Sequence, residues 1–118
     1  MATTLDLAEV KDTEDVDYKS LLPLLKGSNE APYASIFNAY TKTQRAITFG
    51  DYKLIIYPKI KKTLLFDLSS DPLEMTDISE QPGSADIVKA CFQRLVDWQE
   101  KSGDKLDVKS LFPELLEI

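Results

Sequence analysis

The sequence contains no histidine and only one cysteine, Cys91, among its 118 residues. Without histidine, the chain lacks the commonest general base near neutral pH and the commonest imidazole ligand for metals. A single cysteine cannot close a disulfide within the chain. Cys91 also falls on the apolar side of a predicted helix, where burial would keep its thiol unreactive. We therefore expect no catalytic residue and no metal site in this chain.

Long apolar runs are also missing. The longest cover residues 21–25 and 54–57, far short of the roughly 18 residues that cross a bilayer. The N-terminus lacks the basic flank and apolar stretch of a signal peptide. The formal net charge of −6 argues against binding to nucleic acid or to an anionic membrane. We expect a soluble chain with neither of these partners, and its compartment stays open.

The middle of the chain has the alternating pattern of β-strands. Strands are predicted over residues 33–40, 44–49, 52–57 and 63–68. The dipeptide Gly50-Asp51 is a two-residue hairpin signal between the second and third of these segments. The pattern therefore predicts a meander of three to four antiparallel strands.

Apolar residues at helical spacing predict one long helix, which Ser84 caps and Gly103 ends. Shorter helical segments are expected over residues 1–10 and 20–27, and residues 104–118 form a tail with room for one or two amphipathic turns. The apolar stripe of the long helix should cover one face of the sheet. We predict an α+β fold, in which a small three- to four-stranded antiparallel sheet is packed by one long C-terminal helix.

Residues 71–74 carry the signature of a helix start. Asp71 fits the N-cap, Pro72 the first helical position and Glu74 the third, as in a capping box. A short helical turn is therefore predicted from Pro72 to about Ile78. Because Asp71 and Glu74 have this capping role, we do not expect a catalytic carboxylate pair in the local acidic cluster. The cluster comprises Asp67, Asp71, Glu74 and Asp77.

Two further charged segments are predicted to be solvated. The connector at residues 11–19 is acidic, but it lacks the glycine and the glutamate that an EF-hand calcium loop has at its sixth and twelfth positions. Its acidic residues are Asp12, Glu14, Asp15 and Asp17. The basic loop of Lys59, Lys61 and Lys62 is expected to be a hairpin tip rather than an anion site.

The polar residues Lys42, Gln44 and Arg45 lie where one predicted strand leads into the next. A loop of this kind can contact an anionic substrate, and the planar fork of arginine suits sulfate and carboxylate groups. We predict that Lys42, Gln44 and Arg45 bind substrate. The alternative is a plain surface turn, or an Arg45 that pairs with an acidic residue inside the domain.

The order of these motifs resembles the C-terminal end of a type I, formylglycine-dependent sulfatase of the bacterial kind. Residues 4–10 look like the last helix of that family's catalytic domain, and residues 16–27 resemble its DG-x-SL-x-PLL-x-G segment. Residues 45–55 resemble its RAIR-x-GDYKLI hairpin, and residues 66–78 its YDL-x-x-DP-x-E-x-x-NL segment. The resemblance covers about residues 3–103.

Two residues depart from the family pattern. Glu9 and Tyr18 stand where the family usually has glycines in turns, and we expect the backbone geometry there to have drifted. The resemblance implies three segments. Residues 1–27 would be a remnant of the preceding α/β catalytic domain with its connector, residues 28–103 the C-terminal α+β subdomain, and residues 104–118 a tail without a counterpart.

The resemblance implies a parent protein that hydrolyses sulfate esters and is often exported. Its calcium ion, and the formylglycine made in a C/S-x-P/A-x-R motif, belong to the N-terminal catalytic domain. The segment Cys91-Phe92-Gln93-Arg94 does not match that motif, so no cofactor is expected in this chain. The implied partner is a sulfatase catalytic domain, either in cis or in trans.

Two functions are therefore open. In the first, the chain is a C-terminal sulfatase fragment that packs against the catalytic domain, helps shape the rim of the substrate pocket and is inactive alone. In the second, it is an independent protein-interaction module that acts through the apolar segments at residues 21–25 and 111–118. A complete small enzyme of another class is disfavoured by the missing histidine.

Overall fold

The computed structural model describes residues 1–11 and 15–116, and the chain forms two compact units, Met1–Ala34 and Ser35–Ile118. The first unit contains two short helices, α1 (Ala2–Leu7) and α2 (Leu22–Leu25). Proline occupies the first turn of α2, where its missing N–H costs no hydrogen bond. The two short helices predicted from the sequence are thus confirmed. None of the described residues of this unit is buried.

Glu9 adopts a φ of 57°, in the left-handed region that favours glycine. Glu9 thus takes a backbone conformation that a glycine would adopt more easily, and the expected drift from the family geometry stays a prediction. The acidic connector predicted at residues 11–19 is described only in part, because Asp12 and Glu14 lie outside the described residues.

The second unit is built on a four-stranded antiparallel sheet in the order β1-β2-β3-β4. Its strands are β1 (Ser35–Tyr40), β2 (Gln44–Phe49), β3 (Tyr52–Tyr57) and β4 (Lys62–Asp67). Gly50 has a φ of 58° at the first position of the β2–β3 turn, which is where a type II′ hairpin requires glycine. The predicted meander is confirmed, with four strands.

Helix α3 (Ser84–Ser102) packs its apolar side on one face of this sheet. Its buried apolar residues recur at three- and four-residue spacing and meet inward-facing residues of β2, β3 and β4. The buried core comprises Ile47, Leu54, Ile56, Leu65, Val88, Cys91, Phe92, Leu95, Val96, Val108 and Phe112. Gly103, with a φ of 70°, ends the helix as predicted.

The tail after Gly103 contributes to this core. It forms α4 (Val108–Leu111) and a 3-10 turn (Pro113–Leu115). Asp107 caps α4 by accepting a hydrogen bond from the Ser110 N–H at 3.1 Å. Val108 and Phe112 are each 1% exposed, and the ring of Phe112 meets Phe92 edge to face at 6.1 Å between centroids.

Two predictions about helix starts are wrong. Ser84 is the first residue of α3, and the cap position belongs to Gly83, which has a φ of 90°. Ser84 instead donates its N–H to the Gln81 carbonyl and is buried. The second error is the helical turn from Pro72 to Ile78, because residues 72–78 are not helical.

After Asp71 the chain makes one tight turn and does not continue into a helix. The Glu74 N–H donates to the Asp71 carbonyl at 3.1 Å, and Glu74 then adopts a φ of 55°. The Asp71 carboxylate accepts from the Thr76 N–H rather than from the third position of a helix. Further along, the Ile78 N–H donates to the carbonyl of Leu65 in β4 at 2.8 Å. The open edge of β4 competes for these backbone groups and overrides the local helix signal.

Among residues 1–11 and 15–116, no helix has the length and apolar character needed to cross a bilayer.

Candidate functional site

The three predicted substrate-binding residues lie at the β1–β2 turn, but at different depths. Lys42 is exposed, Gln44 is half-buried at the start of β2, and Arg45 is only 5% exposed. Contact of Lys42, Gln44 and Arg45 with a ligand stays a prediction. Of the three, only Lys42 presents its charge on an exposed side chain.

Arg45 forms a bidentate ion pair with Asp104. The distance from Nε of Arg45 to Oδ2 of Asp104 is 2.6 Å, and that from Nη2 to Oδ1 is 2.9 Å. The remaining nitrogen, Nη1, donates to the carbonyls of Thr41 and Gln44 at 2.7 Å each. All three guanidinium nitrogens are therefore engaged within the domain, which is the alternative that the sequence left open for Arg45. The pair ties the β1–β2 turn to the chain just after α3.

Gln99 completes this polar cluster. Its side chain is 5% exposed, and Nε2 donates to Oδ2 of Asp104 at 2.6 Å and to the Leu106 carbonyl at 3.1 Å. The Asp104 N–H donates back to the Gln99 carbonyl at 3.0 Å. We call Arg45, Gln99 and Asp104 the ion-pair cluster. A low local dielectric strengthens these bonds and also makes each of them costly to break.

Hydrogen bonding from Arg45 lowers the pKa of Asp104 from 3.8 to about 2. Partial burial of the carboxyl acts in the opposite direction, and donation from Gln99 and from the Leu106 N–H adds to the lowering. Asp104 therefore stays ionised throughout the neutral and mildly acidic range.

The depressed pKa of Asp104 predicts a loss of stability in acid. Because the pKa is lower in the folded chain than in the unfolded chain, the stabilisation is present above about pH 5 and is lost as the pH falls toward 2. The full contribution is about 2 kcal/mol. Urea unfolding measured from pH 7 to pH 2 should show this loss in the wild-type chain. The Asp104→Asn variant should show a correspondingly smaller loss, and equal losses in both chains would contradict the assignment.

The acidic cluster after β4 is held by local partners. Asp67 accepts hydrogen bonds from the N–H and the hydroxyl of Ser69, which chiefly lower its pKa. Partial burial acts to raise the pKa of Asp77, but donation from the N–H groups of Leu65 and Ser79 outweighs it, so that this pKa is lowered. Glu74 pairs with Lys53 at 2.7 Å. These contacts give the cluster a structural role.

Cys91 is 1% exposed, and burial raises the pKa of its thiol to about 11, so the thiol is protonated at neutral pH.

The side chains of Lys59, Lys61 and Lys62 are exposed, as expected for a hairpin tip. In the part of the chain that the structure describes, no group of three or more aspartate, glutamate or cysteine side chains could hold a metal ion.

The family model for N-sulphoglucosamine sulphohydrolase, C-terminal, matches residues 1–101. No curated protein matches the chain. A solved structure, BT4656 in complex with its substrate D-glucosamine-2-N,6-O-disulfate, is similar with 25% identity and a TM-score of 0.69, over 90% of this chain and 24% of that chain. BT1596, described as a 2-O GAG sulfatase, is similar with 23% identity and a TM-score of 0.73, over 92% of this chain and 25% of that chain.

A third similar structure is a protein of Bacteroides thetaiotaomicron VPI-5482 that is described as a sulfatase, with 23% identity, a TM-score of 0.73 and the same coverage. The chain thus spans about a quarter of the length of these proteins. The predicted α+β fold agrees with theirs, since the four-stranded sheet and the long helix α3 correspond to a sulfatase C-terminal subdomain. With a family match over residues 1–101, this chain belongs to the family of N-sulphoglucosamine sulphohydrolase C-terminal domains.

Proposed function

We propose that this chain is the C-terminal subdomain of a sulfuric ester hydrolase, and that it packs against a catalytic domain and is inactive alone. The match of residues 1–101 to a sulphohydrolase C-terminal family carries this proposal. It is supported by the finding that the chain spans only 24% of BT4656, a protein solved with its substrate. A catalytic domain, in cis or in trans, would supply the remaining part of the enzyme, including its active site. The sequence has no C/S-x-P/A-x-R motif and the described residues have no calcium ligand group, so we assign neither formylglycine nor calcium to this chain.

The unit Met1–Ala34 supports a docking role. It exposes large apolar side chains and buries none of its described residues. Leu7 is 62% exposed, Tyr18 75% and Leu25 72%. Apolar surface of this kind on so small a unit marks an interaction site. In our proposal the surface that covers it belongs to the catalytic domain.

One similar structure was solved with its substrate, a glucosamine that carries two sulfates, and this supports a proposal for the substrate class. We propose a sulfated amino sugar as the substrate of the whole enzyme. Lys42 is the residue of this chain best suited to the pocket rim, because its exposed cation would meet a sulfate without disturbing the fold. No acidic residue occurs between Glu30 and Asp51, so no neighbouring carboxylate in sequence would repel the anion.

The isolated chain should release no sulfate from an aryl sulfate or from glucosamine sulfates above the buffer background. The reason is that the nucleophile and the metal of the reaction would lie in the catalytic domain. Ion chromatography of released sulfate measures this directly. Turnover that disappears on substitution of a residue in this chain would overturn the proposal.

A test of the role of this chain at the pocket rim needs the catalytic domain as well. If an upstream reading frame with a C/S-x-P/A-x-R motif encodes that domain, the domain and this chain can be assayed together for sulfatase activity. Lys42→Ala should raise KM for the sulfated sugar. Lys59→Ala, which removes a matched exposed lysine between β3 and β4, should not.

The alternative, an independent interaction module, is favoured by one observation only. Residues 21–25 are largely exposed in the first unit, with Leu21 at 47% and Leu25 at 72%. The second segment named for this role, residues 111–118, behaves differently, because Phe112 is buried and Leu115 packs against the core. Ile118 lies outside the described residues. A genome without a sulfatase reading frame beside this one would favour the module.

A further inference from the structure

The two edges of the sheet are protected differently. At β4, the segment after the strand covers the edge: the Ile78 N–H donates to the Leu65 carbonyl, and the Asp77 carboxylate accepts from the Leu65 N–H at 3.0 Å. The Ser79 hydroxyl also donates to the Thr63 carbonyl. At β1, the described residues show no backbone hydrogen bond beyond those to β2 and within the β1–β2 turn. Within the part of the chain that the structure describes, β1 is therefore an open edge.

The outward-pointing backbone groups of β1 can be identified. The carbonyl of Tyr40 accepts from the Thr43 N–H, so Tyr40 directs its backbone toward β2. Because bonding alternates along an antiparallel strand, the outward groups belong to Ser35, Phe37 and Ala39. These residues offer N–H and C=O groups to a further strand.

β1 also lacks the features that usually protect an edge. Its sequence, SIFNAY, has no charge, no proline and no glycine, and its six residues pair with β2 in unbroken register. Ile36 is 55% exposed and Tyr40 67%. The strand is thus uncharged and regular, and two large apolar side chains, Ile36 and Tyr40, flank Asn38 on its exposed face.

We propose that β1 pairs antiparallel with β1 of a second copy of this chain, about a two-fold axis at Asn38. In this register Ile36 lies opposite Tyr40 of the second copy, an aromatic and β-branched pair on the outer face. Phe37 and Ala39 exchange the backbone hydrogen bonds, and the two sheets become one continuous sheet. The proposal goes beyond the sulfatase assignment and does not rest on it.

Self-pairing fits the charges around the strand. The chain has a formal charge of −6, yet residues 31–50 contain no acidic residue, and Arg45 within that stretch is neutralised by Asp104. Two copies meeting at β1 therefore bring together no carboxylate from residues 31–50, and the one other charge in this stretch is Lys42, which lies beyond the end of β1. Asn38 of one copy lies opposite Asn38 of the other copy across the two-fold axis. Both partners therefore use the same surface patch.

Charge substitutions at Asn38 test the proposal. The wild-type chain should sediment as a dimer, whereas N38K and N38E should each sediment as monomers, because each places two like charges directly opposite one another. We expect the dimer dissociation constant of each variant to rise about tenfold or more, because like charges placed opposite one another at an interface are strongly unfavourable. An equimolar mixture of N38K and N38E should return to the dimer. A90K, an exposed substitution on α3, is the matched control and should leave the dimer intact.

A cross-link tests the register. In a non-hydrogen-bonded antiparallel pair the Cα atoms are about 4.5 Å apart, within the range of a disulfide. N38C should form a covalent dimer under mild oxidation, and A90C should not. A monomeric wild-type chain, or a dimer that survives N38K, would overturn the proposal. Dissociation by N38K without an N38C cross-link would overturn the register centred on Asn38.

Discussion

Arg45→Met should lower the free energy of unfolding by about 3–5 kcal/mol. The substitution keeps most of the apolar stem but leaves Asp104 largely buried without its cation, and the side chains of the pair are only 6% and 15% exposed. In the wild-type chain the guanidinium also donates hydrogen bonds to the carbonyls of Thr41 and Gln44, and the substitution removes both bonds. Chemical denaturation followed by the fluorescence of Trp98, the single tryptophan, measures the change.

The double variant R45M/D104L separates the two causes of this loss. Removing both charges leaves no unpaired carboxylate, and replacement of a buried ion pair by apolar residues is often neutral. We expect the double variant to recover most of the stability lost by R45M. A loss below about 1 kcal/mol for R45M would place this pair with ordinary surface salt bridges and would contradict its structural role.

Phe112→Ala should cost about 3–5 kcal/mol, as expected for a buried aromatic residue. Phe112 is 1% exposed, packs edge to face on Phe92, and lies outside the residues that the family model matches. The result would show that the tail is part of the domain core. Because small domains are stable by only about 5–15 kcal/mol, we expect the variant to unfold at a clearly lower temperature than the wild-type chain.

Leu73→Ala is the matched control for Phe112→Ala. Leu73 is 79% exposed, so its truncation should change stability by no more than about 0.5 kcal/mol. If Phe112→Ala cost no more than Leu73→Ala, the tail would not be a structural part of the domain.

The strands and the long helix were predictable because their signals are local. Alternating residues along 52–57 define two faces whatever the strand packs against, and the stripe from Val88 to Val96 defines one side of a helix. The predicted turn at residues 72–78 failed for the opposite reason. Its backbone groups found better partners at the edge of β4, through Asp77 and Ile78, and a capping signal contains no information about a distant strand.

The ion-pair cluster was only half visible in the sequence. Arg45 drew attention as a charged residue at a strand start, but its partner is 59 residues away and lies in a segment without a recognised motif. Gln99 offered a signal that could have been used, since it follows Leu95 and Val96 at helical spacing on the apolar side of α3. A polar residue on such a face usually has a buried partner.

The sequence by itself determined the family, the order of the strands along the chain and the position of the main helix, because motif order and periodicity are properties of neighbouring residues. Only the tertiary structure decided that Arg45 binds Asp104, that Phe112 joins the core and that β4 is covered while β1 has no strand partner but β2 among the described residues. These are contacts between segments far apart in sequence. Their stability depends on burial and on competition for hydrogen bonds, which exist only after the chain has folded.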